Sequence, residues 1–152
     1  MARTALVTGG TRGIGEAISV ALKDAGYQVA ANYGGNDAAA QAFTERTGIP
    51  AYKFDVGDFG AVTAGIAKIT EDVGPIEVLV NNAGFALVGP LEEIEDAEWE
   101  RQYQTNVLGV VRVTRAFLPG MRQRRRGRIV NVSSVSGRVT LPFFAPYNST
   151  KH

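Results

Sequence analysis

Short apolar runs alternate along this chain with longer amphipathic stretches, the pattern that βαβ units leave in a sequence. The runs predict strands over Arg3–Thr8, Tyr27–Asn32, Pro50–Asp55, Glu77–Val80 and Arg128–Ser133. The stretches between them predict helices near Gly13–Ala25, Asp37–Arg46 and Asp58–Val73, and one long helix from about Asp96 to Arg124. Gly26, Gly48 and Gly74 each follow a helical stretch, where a left-handed cap is expected. Leu6-Val7 and Val78-Leu79-Val80 are continuous rather than alternating, so helices should cover both faces of those strands. The expected architecture is α/β: a parallel sheet with helices on its faces. No repeat, low-complexity tract or linker interrupts it, so residues 1–152 read as one domain.

Composition narrows the function. With 152 residues, 45% hydrophobic and 20% charged, the chain has the balance of an ordinary soluble domain large enough for a real core. Sixteen Lys and Arg against fifteen Asp and Glu leave a net charge of +1, which steers the protein to neither nucleic acid nor membrane. The segment Arg122–Arg128 is the one strong charge run. Without interleaved aromatics it reads as cations at a helix C-terminus rather than as a nucleic-acid patch. Zero cysteines exclude disulfides and fit a reducing compartment. The first strand begins at once, leaving no room for a signal peptide, and no apolar run approaches the ~20 residues of a membrane span. The expected location is cytoplasmic, and no metal-ligand cluster is read from the sequence.

Two segments carry chemistry. Thr8-Gly9-Gly10-Thr11-Arg12-Gly13-Ile14-Gly15 follows the first strand and opens the first helix. Glycines at 9, 13 and 15 let the backbone approach a pyrophosphate, and the N–H groups of the helix terminus face the anion. Near the other end, Tyr147 and Lys151 stand four residues apart, one turn on a helix face. A neighbouring cation favours phenolate, which suits a tyrosine for proton transfer to a carbonyl oxygen.

The spacing Gly-x-x-x-Gly-x-Gly, Asn81-Asn82-Ala83-Gly84 after the fourth strand, and Tyr147-x-x-x-Lys151 stand in one order along the chain. Together they resemble the short-chain dehydrogenase/reductase family. The resemblance implies a doubly wound, Rossmann-type sheet with five strands in the order 3-2-1-4-5, a nicotinamide cofactor and hydride transfer between a carbonyl and an alcohol, with a small-molecule substrate. It implies cofactor contacts from Gly9, Thr11, Arg12, Gly13, Ile14, Gly15, Asp55, Val56, Asn82, Ala83, Gly84, Tyr147 and Lys151. It implies a catalytic set of Asn106, Ser134, Tyr147 and Lys151. In that set Ser134 donates to the substrate oxygen, Tyr147 is the acid in reduction, Lys151 tunes it and binds the nicotinamide ribose, and Asn106 holds a relay water. Ser133 and Ser136 read as loop hydrogen-bonders instead.

Charge bears on the choice of cofactor. An acid near the end of the second strand would hold a ribose 2′-hydroxyl, whereas a 2′-phosphate wants cations and no acid. Ala31-Asn32-Tyr33-Gly34-Gly35-Asn36 holds no acid, and Asp37 reads as a helix N-terminal residue. NADP(H) is therefore favoured over NAD(H). Up to Gly84 the chain is similar to acetoacetyl-CoA and 3-oxoacyl reductases; beyond it, Phe85–Glu93 and Asn131–Gly137 look more like other branches, which raises separate origins for the two halves. Family members also continue past the position of His152, so the resemblance implies a domain that is C-terminally incomplete, truncated after the fifth strand. That strand and the long helix are then expected to join copies of the chain into a homo-oligomer. The alternative expectation is a domain that keeps the fold and nucleotide affinity but is catalytically inert.

Overall fold

The computed structural model describes residues 2–152. Its sheet is built from β1 (Thr4–Val7), β2 (Gln28–Tyr33), β3 (Ala51–Lys53), β4 (Val78–Asn81) and β5 (Arg128–Asn131). All four ladders are parallel, and the order is β3-β2-β1-β4-β5, the one the family resemblance implies. β1, β3 and β5 are shorter than their predicted runs, their last residues leaving the ladder for loops at the strands' C-terminal ends, whereas β2 and β4 keep the predicted length one residue further along. The helices are α1 (Gly13–Asp24), α2 (Asp37–Thr47), α3 (Phe59–Val73), α4 (Asp96–Tyr103), α5 (Gly109–Gln123) and α6 (Ala145–Lys151).

Side chains alternate across a strand, so β1 and β4 feed two cores. Leu6, Ala30 and Leu79 point to one face, where they meet Val62, Ile66 and Ile69 of α3 and Val113, Phe117 and Met121 of α5. Ala5, Val7, Val29, Val78 and Val80 point to the other, against Phe43 of α2 and Ile18 and Leu22 of α1. Every residue of β1 and β4 is buried, which is why those two runs are continuously apolar. Among the described residues β5 pairs only with β4; Ile129 packs on the first core, while Val130 is 44% exposed.

The expected long helix is not a single α-helix. α4 passes through a π turn, Gln104–Leu108, before α5 begins. Gln102 and Asn106 both donate to Phe85 O, at 2.9 Å each, while Gly109 packs on Val56 and Val113 faces the first core. The wider turn lets one helix satisfy both partners. Gly48 takes the expected left-handed cap, but Gly74, at φ +92° and ψ −175°, does not. In the basic run, Arg124 donates to Ile76 O and Arg126 shares Glu77 with Arg3. Among the described residues, no helix is long and apolar enough to cross a membrane.

Candidate active site

After β1 the chain turns through residues 8–12 into α1. Gly9 and Gly13 have φ of +61° and +54°, which residues with a Cβ adopt only under strain. A Cβ at Gly15 would overlap Gly9 O and lie 2.6 Å from Asn82 Nδ2, whereas one at Gly13 would meet nothing within 4 Å. The loop is thus closed on its inner side and open on its outer side. The first-turn N–H groups of α1 have no helical partner and carry the positive end of the helix dipole. Glu16, the acid of that turn, is held by Arg46 at 2.7 Å. Arg12, the exposed residue before α1, has no carboxylate partner among the described residues.

Thr8 ties this loop to the next one. Its Oγ1 accepts the N–H groups of Asn82 and Ala83, both at 3.0 Å, and Asn82 Nδ2 donates to the carbonyls of Thr8 and Gly9. Asn32 does the same from β2: its Oδ1 accepts from Gly9 N at 3.3 Å and its Nδ2 donates to Phe54 O at 2.8 Å. Beyond β2, Asn36 caps α2 and Asp37 is the first helical residue, bonded to Lys53 at 2.9 Å. The Lys53 hydrogen bond holds the Asp37 carboxyl below its ordinary range, and partial desolvation, then Asp37, raise the Tyr33 phenol. Asp55 turns back on itself, its Oδ1 accepting from Gly57 N at 2.8 Å.

At the far end, α6 has only seven residues, too few to hold itself together in isolation. Tertiary contacts hold it instead. Asn106 Nδ2 donates to Thr150 Oγ1 at 3.0 Å, Asn148 Nδ2 donates to Leu141 O at 3.0 Å, and Lys151 Nζ donates to Val132 O at 3.3 Å. Phe144 meets the Tyr147 ring edge-on at 6.3 Å. Lys151 Nζ stands 5.6 Å from the centre of that ring. Gly84 fits between α6 and the π turn: a Cβ there would lie 3.1 Å from Asn106 Oδ1 and 3.8 Å from Lys151 Nζ.

One cleft of about 660 Å³ collects these pieces along the strands' C-terminal ends. Gly9, Thr11, Arg12, Gly13, Ile14, Gly15, Asp55, Val56, Asn82, Ala83, Gly84, Tyr147 and Lys151 all line it. Asn106 and Ser134 do not. Asn106 is buried behind Gly84 and Phe85, with its amide engaged: Oδ1 accepts from Phe85 N at 3.1 Å while Nδ2 donates to Phe85 O and Thr150. Ser134 Oγ accepts from Ser136 N at 3.2 Å, and Ser133 is the serine on the wall.

The comparisons agree with this architecture. A model of the short chain dehydrogenase family matches residues 3–152. The chain belongs to that family. It is 51% identical over 151 residues to acetoacetyl-CoA reductase of Paracoccus denitrificans, covering 99% of this chain and 62% of that protein. It is 38% identical to a 3-oxoacyl-[acyl-carrier-protein] reductase of Staphylococcus aureus, covering 99% and 63%. Among solved structures, a variant of actinorhodin polyketide ketoreductase with NADPH superposes with a TM-score of 0.93 at 35% identity, covering 99% of this chain and 60% of that one. The chain spans about 60% of the length of the relatives it matches, and the Paracoccus match runs across both halves.

The residues suit the dinucleotide that this family architecture implies. The cradle at Gly13 is open, the first-turn amides of α1 lack helical partners, and the cleft is continuous from Asn36 to Lys151. Among the described residues, no group of three or more His, Cys, Asp and Glu is placed to hold a metal ion. Thr8 was not picked out from the sequence. Its signal is a hydroxyl at the end of β1, buried beside β4 where an apolar residue would be expected.

Proposed function

We propose that the chain is the nucleotide-binding and catalytic core of an NADP(H)-dependent carbonyl reductase acting on acetoacetyl-CoA or a related 3-oxoacyl substrate. The observation that carries this reading is the single cleft joining the Gly9–Gly15 loop to Tyr147 and Lys151. A bound nicotinamide would supply the hydride. Tyr147 would give the proton to the substrate oxygen; Ser134, whose hydroxyl hydrogen has no protein acceptor among the described contacts but which lies one residue beyond the wall serine Ser133, would have to turn toward the cleft to donate to the same oxygen. Lys151 would hold its charge beside the Tyr147 ring. Asn106 would fix Phe85 and α6 relative to each other, with the Phe85 carbonyl shared by Gln102.

Preference for the 2′-phosphate is supported by three features. No acid lines the cleft from Asn32 to Asn36, the Asp37 carboxylate is engaged by Lys53, and Arg12 lies on the wall. The substrate class is supported by the 51% and 38% identities to reductases of 3-oxo thioesters.

Fluorescence titration with NADPH and with NADH, followed by NADPH oxidation with acetoacetyl-CoA, tests the reading. The expected result is tighter binding of NADPH than NADH, and turnover. No binding of either nucleotide would sink the proposal, and binding without turnover would establish an inert nucleotide-binding domain. The reading extends to self-association through β5, where Val130 is exposed on a strand with one neighbour. A monodisperse monomer in ultracentrifugation would overturn that part.

A further inference from the structure

We propose that Arg112, on α5, is a positioning residue for the adenosine end of the cleft, acting through the turn Asp55–Gly57; this rests on the nucleotide-binding reading above. Asp55 and Val56 form the wall opposite the loop that follows β2. They belong to no strand or helix, since β3 ends at Lys53 and α3 begins at Phe59. Something outside must therefore hold them.

Two contacts from α5 do so. Arg112 Nη1 donates to Gly57 O at 2.6 Å across 55 positions of sequence. One turn earlier, Gly109 packs so closely on Val56 that a Cβ at 109 would lie 2.9 Å from Val56 Cγ2, and Val56 is 5% exposed. The turn's own bonds complete the arrangement: Gly57 N donates to Asp55 Oδ1 at 2.8 Å and Asp58 N to Asp55 O at 3.1 Å.

The choice of side chain is informative. Arg112 has no carboxylate partner among the described residues; the contact that uses its half-buried guanidinium is one backbone carbonyl. A charge-assisted bond to a carbonyl is stronger and more directional than a neutral one. It fixes the height of Gly57 against the helix, and through the Gly57–Asp55 bond the direction of the Asp55 carboxylate. The helix that carries Asn106 at the catalytic end thus also sets the wall at the adenosine end.

The test uses adenosine 2′,5′-bisphosphate, which occupies only that end, titrated into the wild type, Arg112→Met, Arg112→Gln and Arg112→Lys. The Met and Gln variants are expected to bind it on the order of tenfold more weakly, as loss of a hydrogen bond from a charged donor implies. Arg112→Lys should recover part of the loss, since an ammonium can reach the same carbonyl. A purely structural arginine would lower the unfolding temperature without this graded recovery. Should Arg112→Met fail to fold, Arg112→Gln, which keeps a donor and much of the stem, carries the measurement. Dissociation constants within twofold of wild type in the folded variants would overturn the proposal. A wild-type chain that does not bind the bisphosphate would overturn the nucleotide reading and this inference together.

Discussion

Tyr147→Phe is expected to lower the rate of acetoacetyl-CoA reduction by about a hundredfold to ten-thousandfold, the range general-acid catalysis contributes, while NADPH affinity changes little. The structure makes this a clean substitution. No hydrogen bond to the phenol oxygen exists among the described residues, so removing it strands no buried partner. The ring keeps its edge-on contact with Phe144 at 6.3 Å and its place beside Lys151. Stopped-flow reduction at saturating NADPH, with a parallel fluorescence titration, checks both halves of the expectation. A variant that reduces the substrate within tenfold of wild type would show that the proton comes from elsewhere.

Gly15→Ala is expected to weaken NADPH binding by more than about tenfold and to destabilise the fold by about 1–3 kcal/mol, the usual range for overpacking. The new methyl has no room: it would overlap Gly9 O and press on Asn82 Nδ2 at 2.6 Å. Both obstacles are part of the link that joins the first loop to Asn82–Gly84, through Asn82 Nδ2 and the carbonyls of Thr8 and Gly9. Relief by moving Gly9 would close the cradle, and relief by moving Asn82 would part β1 from its neighbour's loop. Gly89→Ala is the control, because it lies off the cleft wall, a Cβ there meets Ile94 at an ordinary 3.6 Å and its φ is not positive. Urea unfolding and nucleotide titration of the two variants should separate them. Equal behaviour would mean that the close approach at residue 15 yields at little cost.

The sheet and the phosphate loop were legible because each is written in one local stretch. β1 and β4 are buried on both faces and so continuously apolar, and the loop glycines sit between a strand and a helix. The residues named for the cofactor came from the family resemblance rather than from the apolar register, and the cleft wall includes them. What the sequence hid depends on partners far along the chain or on direction. The π turn adds one residue to a helical ring, too small a change for apolar spacing to reveal within one long amphipathic stretch. Asn106 is named only through the family resemblance, because its partners Phe85 and Thr150 lie 21 and 44 positions away, beyond the reach of local spacing. Arg112 finds Gly57 at a separation of 55. Ser133 and Ser134 are neighbours in an extended segment, where successive side chains point oppositely; spacing from Tyr147 cannot tell which one faces the cleft.

The π turn at Gln104–Leu108 has a further consequence. A regular helix advances about 100° per residue, so the face it shows one partner dictates the face it shows every later one. Here an irregular ring lies between Gln102 and Val113, and the two are released from that bond. The polar side that grips Phe85 and the apolar side that meets the sheet are set as separate angles on one rod. Substitutions that rotate α5 to repack the core therefore need not swing Gln102 away from Phe85, and the two ends of the molecule are free to change at different rates.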